Sequence, residues 1–335
     1  MTDDLVRPTI PIGYVVEIAS RCPSRAIARA LAACSVAPRT LRAPRFRLSI
    51  AQFVRFHTAL SRELDDEMFG YFPRPVPRGA YATLVRMLTG SADVRAMLES
   101  ANRFYRLFDR HDYLQLEIAR GRATLMLHAR QAWQERSIFF VHSMLLASWR
   151  TAAWLVGQAI PLEEVVLPSR FRRLGGETRY LFGREPTFAP GPPRLAFRAE
   201  LTSLPILRRP DEADGYVKTS LRDLLLAPPR PSLHDALRAV LAAATPFADL
   251  GVGEAARRLG RSRATLARQL AALGTSFQQI KDELRRDHAI ALLADSTLGL
   301  PEIAERLGYS AASAFQRAFR DWTGVAPGAL RTRSR

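Results

Sequence analysis

The chain has 335 residues, 47% of them hydrophobic and 24% charged, with a net charge of +17. That is the composition of a globular protein with material for two domains, each with its own core. The charge favours a polyanionic partner, but the basic excess lies mostly upstream of Ser232 and so does not single out the C-terminal part.

Cys22 and Cys34 are the only cysteines, too few for a disulfide framework or a four-ligand zinc site. A reduced, cytoplasmic setting fits them, and the N-terminal sequence MTDDLVRPTIPIG shows no secretory signal. The six histidines are scattered without ligand spacing, so no metal or cofactor is expected.

In chain order, helical periodicity marks residues 24–34, 48–64, 79–90 and 93–109. FPRPVPRG (72–79) reads as an extended loop. Alternation then takes over in DYLQLEIAR and ATLMLHAR. Leu114, Leu116 and Ile118 fall on one side of the first, and Ala123, Leu125 and Leu127 on one side of the second. A tight turn at Gly121-Arg122 would join them as a hairpin. The apolar run Ser137–Ile160 includes His142 and Arg150, which points to a buried core helix rather than a membrane span. Further strands are expected at 163–168 and 194–201, and a helix near 213–226. Residues 1–226 thus read as a mixed domain with more helix than strand.

Clustered prolines at 227–231 predict a linker. Beyond it the same pattern occurs twice. VGEAARRLGRSRATLARQL (252–270) and LPEIAERLGYSAASAFQRAF (300–319) match at a spacing of 48 residues up to Ser262/Ser310. After one inserted residue they match at 49, through Leu266/Phe315, Arg268/Arg317 and Leu270/Phe319. Each copy holds a short helix, a glycine able to turn the chain (Gly260, Gly308), a serine placed as an N-cap (Ser262, Ser310) and a second helix. Between the copies, SFQQIKDELRRDHAIALLAD predicts one long helix opened by a capping box at Ser276 and Gln279. A rigid rod between two helix-turn-helix units would set them on successive major-groove segments.

The run IAERLGYSAASAFQRAFRDWTGVAPGALR (303–331) resembles the C-terminal motif of AraC/XylS-type transcription regulators, and SRATLARQLAALGTSFQQI resembles their first helix-turn-helix. The first 226 residues are similar to the larger, arabinose-binding-like N-terminal domain of some members, through VPRGAYATLVRMLTGSADVRAMLESANRFYRLF and the hairpin after it. The resemblance implies an activator more than a repressor, with RNA polymerase as a further partner, and it puts a groove-contacting arginine at Arg268.

The fold expected is therefore α+β and mainly helical. An effector-binding and dimerisation domain (1–226) and a Pro-rich linker (227–231) precede an all-α, double helix-turn-helix DNA-binding domain (232–335). With Leu266, Leu270, Phe315 and Phe319 in the cores, the groove-facing residues are Arg263, Ala264, Thr265 and Arg268 in the first unit. In the second they are Ala312, Ser313, Gln316, Arg317 and Arg320. Arg268 is the leading base reader, because guanidinium can donate two bonds to guanine O6 and N7. No catalytic motif stands out. The partners expected are double-stranded DNA, a small-molecule effector and a second copy of the chain, and no membrane. Arg103, Tyr105, Arg106, His128, His142 and Trp149 could anchor an effector. The competing reading is an architectural DNA binder whose N-terminal domain only dimerises, for example through a face holding Phe139, Met144 and Leu145.

Overall fold

The computed structural model describes residues 9–226, 233–242, 250–272, 275–295 and 298–330. The expected linker at 227–231 lies outside them. In chain order the elements are β1 (Thr9–Pro11), α1 (Ile12–Ala19), α2 (Ser24–Ala33), β2 (Arg47–Ser49), α3 (Ile50–Leu64), α4 (Ala80–Leu88), α5 (Val94–Tyr105), β3 (Leu114–Ala119) and β4 (Arg122–Leu127). They continue with α6 (Ala132–Arg136), α7 (Ile138–Leu155), β5 (Glu164–Leu167), α8 (Gly175–Phe182), β6 (Thr187–Phe188), β7 (Arg194–Arg198), α9 (Pro210–Leu224) and α10 (Leu233–Ala242). Last come α11 (Val252–Arg258), α12 (Arg263–Ala272), α13 (Phe277–Asp295), α14 (Leu300–Arg306) and α15 (Ala312–Thr323). The fold is α+β and mainly helical.

These elements form two compact units that do not follow one cut in the sequence. One unit gathers residues 1–19, 23–59 and 231–335, and the other 20–22 and 60–230. Residues 9–19 and 23–59 therefore pack with the helical C-terminal part. What joins them there is a two-stranded antiparallel ribbon, β1 with β2, in the register Thr9↔Ser49, Ile10↔Leu48 and Pro11↔Arg47.

The other unit is built on a five-stranded sheet of order β3-β4-β7-β5-β6, antiparallel except for β5 beside β6. The hairpin keeps the expected apolar face, pairing Leu114↔Leu127, Leu116↔Leu125 and Ile118↔Ala123. Its turn differs from the one expected. Ala119 pairs with Arg122, so the two turn residues are Arg120 and Gly121, with φ of 51° and 76°. Two successive positive φ values define a type I′ turn, whose twist matches that of the strands.

The apolar run after the hairpin forms α7, with twelve of its side chains buried, opened by Ser137 accepting from the Phe140 N–H. No helix among the described residues is long and apolar enough to cross a membrane. Beside α7, Tyr71 stacks on Phe140 at 5.4 Å and Phe72 meets Tyr113 edge-on at 5.0 Å. The Tyr113 hydroxyl donates to Asp109 and accepts from Gln134 Nε2, so this aromatic core closes without a stranded polar group at its centre. Phe139, Met144 and Leu145, considered above as a dimer face, are buried in this core and cannot present one.

Candidate nucleic-acid interface

The two helix-turn-helix units repeat each other in backbone detail. In the first, the Arg261 N–H reaches back to the Ala256 carbonyl at 2.9 Å, and Gly260 takes φ 65°. In the second, the Tyr309 N–H reaches the Ala304 carbonyl at 2.9 Å, and Gly308 takes φ 76°. Both α11 and α14 thus end in a left-handed glycine with a bond spanning the last turn, which satisfies a carbonyl the helix leaves orphaned.

The starts of the second helices differ. Ser262 caps α12, its Oγ accepting the Thr265 N–H at 3.1 Å. Ser310 does not cap α15. That helix begins one residue later than its counterpart, and the cap position is Ala311, whose side chain offers no acceptor. The inserted residue of the second copy therefore lies in the turn, ahead of the reading helix. In α14, Pro301 occupies the first turn, where its missing N–H costs little, and Glu302 accepts the Gly299 N–H at 2.6 Å.

Each unit has its own core, and α13 supplies both. Leu266 and Leu270 of α12 pack with Leu237, Leu241, Ala255, Ala256, Ile280 and Leu284. Phe315 and Phe319 of α15 meet at 5.7 Å, Tyr309 lies against Phe315 at 5.9 Å, and Ala289, Ile290, Leu293, Ile303 and Leu307 are buried. At 1.5 Å rise per residue, the 19-residue α13 is about 28 Å long. Its start is capped as expected by Ser276, which accepts the Gln279 N–H at 3.2 Å.

Two carboxylates one helical turn apart on α13 clamp α10 against it. His234 Nε2 meets Glu283 at 3.0 Å, and Arg238 Nη2 donates to Asp287 at 2.7 Å. Asp287 also accepts from the Thr9 hydroxyl of β1 at 2.6 Å and from Arg286 at 3.1 Å. Arg47 of β2 donates to both the hydroxyl and the carbonyl of Thr9 at 2.6 Å. Burial alone would push the Asp287 carboxyl up; Arg286, Arg238, Arg47 and the Thr9 hydroxyl overcome that and hold it well below the carboxylate range. The ribbon is fixed to the helical unit through this cluster. Nothing in the charge pattern along the chain marks it.

The residues expected to face a groove divide as follows. Arg263, Ala264 and Arg268 are exposed on α12, whereas Thr265 is half-buried, its hydroxyl 2.9 Å from Ser262 Oγ in the cap. On α15, Ser313, Arg317 and Arg320 are exposed, and Ala312 and Gln316 are half-buried. Ser313, Gln316, Arg317 and Arg320 are spaced as one stripe along the helix, while Leu266, Leu270, Phe315 and Phe319 are buried on the opposite face. On α11, Glu254 pairs with both Arg257 and Arg258, which lowers its carboxyl pKa.

In the sheet-containing unit, a narrow cleft of about 270 Å³, counting space open to solvent, is lined by Val94, Leu98, Leu125, Trp149, Ala152 and Phe197 among others. It is apolar, and its cavity proper is only about 10 Å³, far below the ~300–1,000 Å³ usual for small-molecule sites. Of the anchors considered, Trp149 lines it and donates its Nε1–H to the Ile160 carbonyl at 2.8 Å. The other five do not line it. Arg103 bonds Ser100, Tyr105 stacks on Phe72, Arg106 pairs with Asp112, and the His128 carbonyl accepts from His111. His142 is buried against Thr178.

Residues 25–206, more than half of the chain, match the profile described as the arabinose-binding domain of AraC transcription regulator, N-term. Residues 255–333 match a helix-turn-helix domain. Over 325 residues the chain is 27% identical to the ornithine utilization regulator of Pseudomonas aeruginosa, covering 95% of each protein. Over 69 residues it is 42% identical to the HTH-type transcriptional regulator VqsM of the same organism, covering 21% of each. Among solved structures, the transcriptional regulator CdpR from Pseudomonas aeruginosa aligns over 91% of this chain and 96% of its own, with 21% identity and a TM-score of 0.32. The chain is a DNA-binding transcription regulator with a ligand-binding N-terminal domain, and it belongs to the AraC-type family.

Proposed function

We propose that the chain is an effector-responsive activator that acts as a homodimer in the cytoplasm and reads two successive major-groove segments of its operator. In this reading residues 1–226 bind effector and dimerise, 227–231 link, and 232–335 bind DNA, with RNA polymerase as a downstream partner. Arg263, Ala264, Thr265 and Arg268 face the first segment; Ala312, Ser313, Gln316, Arg317 and Arg320 face the second. Arg268 reads guanine, and the alanine-rich second unit mainly positions the protein. The observation that carries the reading is the pair of exposed stripes on α12 and α15, each backed by its own core and both mounted on α13.

Selection from a random duplex pool with the full chain tests the DNA arm. Two enriched sequence blocks about one helical turn apart are expected. Recovery of the pool without enrichment would overturn it. For the effector arm, a metabolite that saturably raises the melting temperature and changes operator affinity is expected.

A further inference from the structure

From Pro23 to Ala59 the sequence carries seven arginines, Arg25, Arg29, Arg39, Arg42, Arg45, Arg47 and Arg55, and no aspartate or glutamate. The rest of the chain balances 42 basic residues against 32 acidic ones. A general preference for arginine over lysine explains the residue type but not the missing acids. This segment packs in the same compact unit as the two helix-turn-helix motifs. It is no loose arm, because Arg47 and Thr9 tie the ribbon to Asp287 on α13.

We propose that Arg39, Arg42 and Arg45 form a third DNA contact, gripping the phosphate backbone beside the second reading helix. All three are exposed. Arg39 and Arg42 lie in a 3₁₀ turn, Pro38–Arg42, where residues three apart eclipse and so share one side. Arg45 reaches α15 directly, its Nη1 donating to the Asp321 carbonyl at 3.4 Å. Asp321 lies in the last turn of α15 and follows Arg320, the last residue of the exposed stripe, so Arg45 sits beside the end of that stripe. Ala311, Ala312 and Ala314 give the second unit few groups for base reading, and phosphate contacts are what would hold it in place. The ligand is the sequence-independent sugar-phosphate backbone. The inference rests on the double helix-turn-helix binding DNA.

The test measures the salt dependence of binding by the full chain to two duplexes, one enriched from the random pool and one a scramble of the same length and composition. Removing one side chain that neutralises a phosphate lowers the slope of log K against log salt by about 0.9. The triple variant Arg39→Ala, Arg42→Ala, Arg45→Ala is expected to lower it by about 2–3 on both duplexes and to leave their affinity ratio unchanged. A triple lysine variant keeps the slope, and a triple glutamine variant, which retains the aliphatic stems, repeats the decrease if the alanine protein folds poorly. A folded triple variant with the wild-type slope, or one whose affinity ratio changes while the slope holds, overturns the proposal. Equal wild-type affinity for both duplexes would count against sequence-specific reading instead, and leaves the slope measurement intact.

Discussion

Arg238 on α10 and Asp287 on α13 meet at 2.7 Å with both side chains almost wholly buried, although 49 residues separate them in the chain. The Arg286, Arg238 and Arg47 guanidiniums and the Thr9 hydroxyl all act on that one carboxylate. Taking away one partner of a buried pair leaves the other uncompensated and costs about 3–5 kcal/mol. Asp287→Ala is expected to destabilise the chain by that amount in urea unfolding followed by circular dichroism. Asp214→Ala, which breaks the exposed pair with Arg86, should change stability by no more than about 1 kcal/mol. Similar effects from the two variants would show that the cluster is not structurally distinctive.

Ser262 and Ser310 hold matching places in the repeat, and only Ser262 caps a helix. Ser262→Ala is expected to cost about 1 kcal/mol and Ser310→Ala a few tenths. Thermal melts of the two single variants check this; equal shifts would mean that the register of the second turn is misplaced.

Arg268→Ala is expected to weaken specific binding by about 1–3 kcal/mol with unchanged melting, the cost of one bidentate base contact. Leu266→Ala should do the opposite, losing about 2–5 kcal/mol of stability from a fully buried site. Gel-shift titrations and melts on both proteins separate the two roles. An Arg268→Ala protein that melts like wild type and binds its operator undiminished removes this residue from the interface.

His142 donates from Nε2 to the Thr178 hydroxyl, which in turn donates to the Leu174 carbonyl. Burial lowers its pKa to about 3 from the ordinary histidine value of 6.5. Because the folded value is the lower one, the unfolded chain takes up the proton first as pH falls. The histidine's contribution is therefore intact above about pH 6.5 and is lost progressively down to about 3, at about 1.4 kcal/mol per pH unit. His142→Gln, which keeps a donor for Thr178, should remove about 2 kcal/mol of the stability difference between pH 7 and pH 5. Parallel pH profiles for wild type and variant would assign the acid sensitivity elsewhere.

Local pattern was a good guide wherever neighbours in the chain decide the structure. The helix-ending glycines, the cap at Ser276 and the cores at Leu266 and Phe315 follow from spacing alone. Alternation also gave the apolar face of the hairpin. It could not place the turn, because moving from Gly121-Arg122 to Arg120-Gly121 changes the register by two residues and leaves every side chain on the same face. The repeat likewise located the inserted residue near the turn serine without telling which side of the helix start it falls on.

Long-range pairings left no such trace. The three-residue strands β1 and β2 are too short for periodicity, and Thr9 finds Asp287 across nearly the whole chain. Arg238 and Asp287 carry the composition of a solvated surface, and only the folded unit turns them inward.

Because α13 contributes Ile280 and Leu284 to one core and Ile290 and Leu293 to the other, neither reading head has a complete core of its own without it. Partial unfolding is thereby suppressed: a lesion in one head weakens the packing of the helix that supports the other. The two heads should melt in a single transition, and DNA held at one of them protects both.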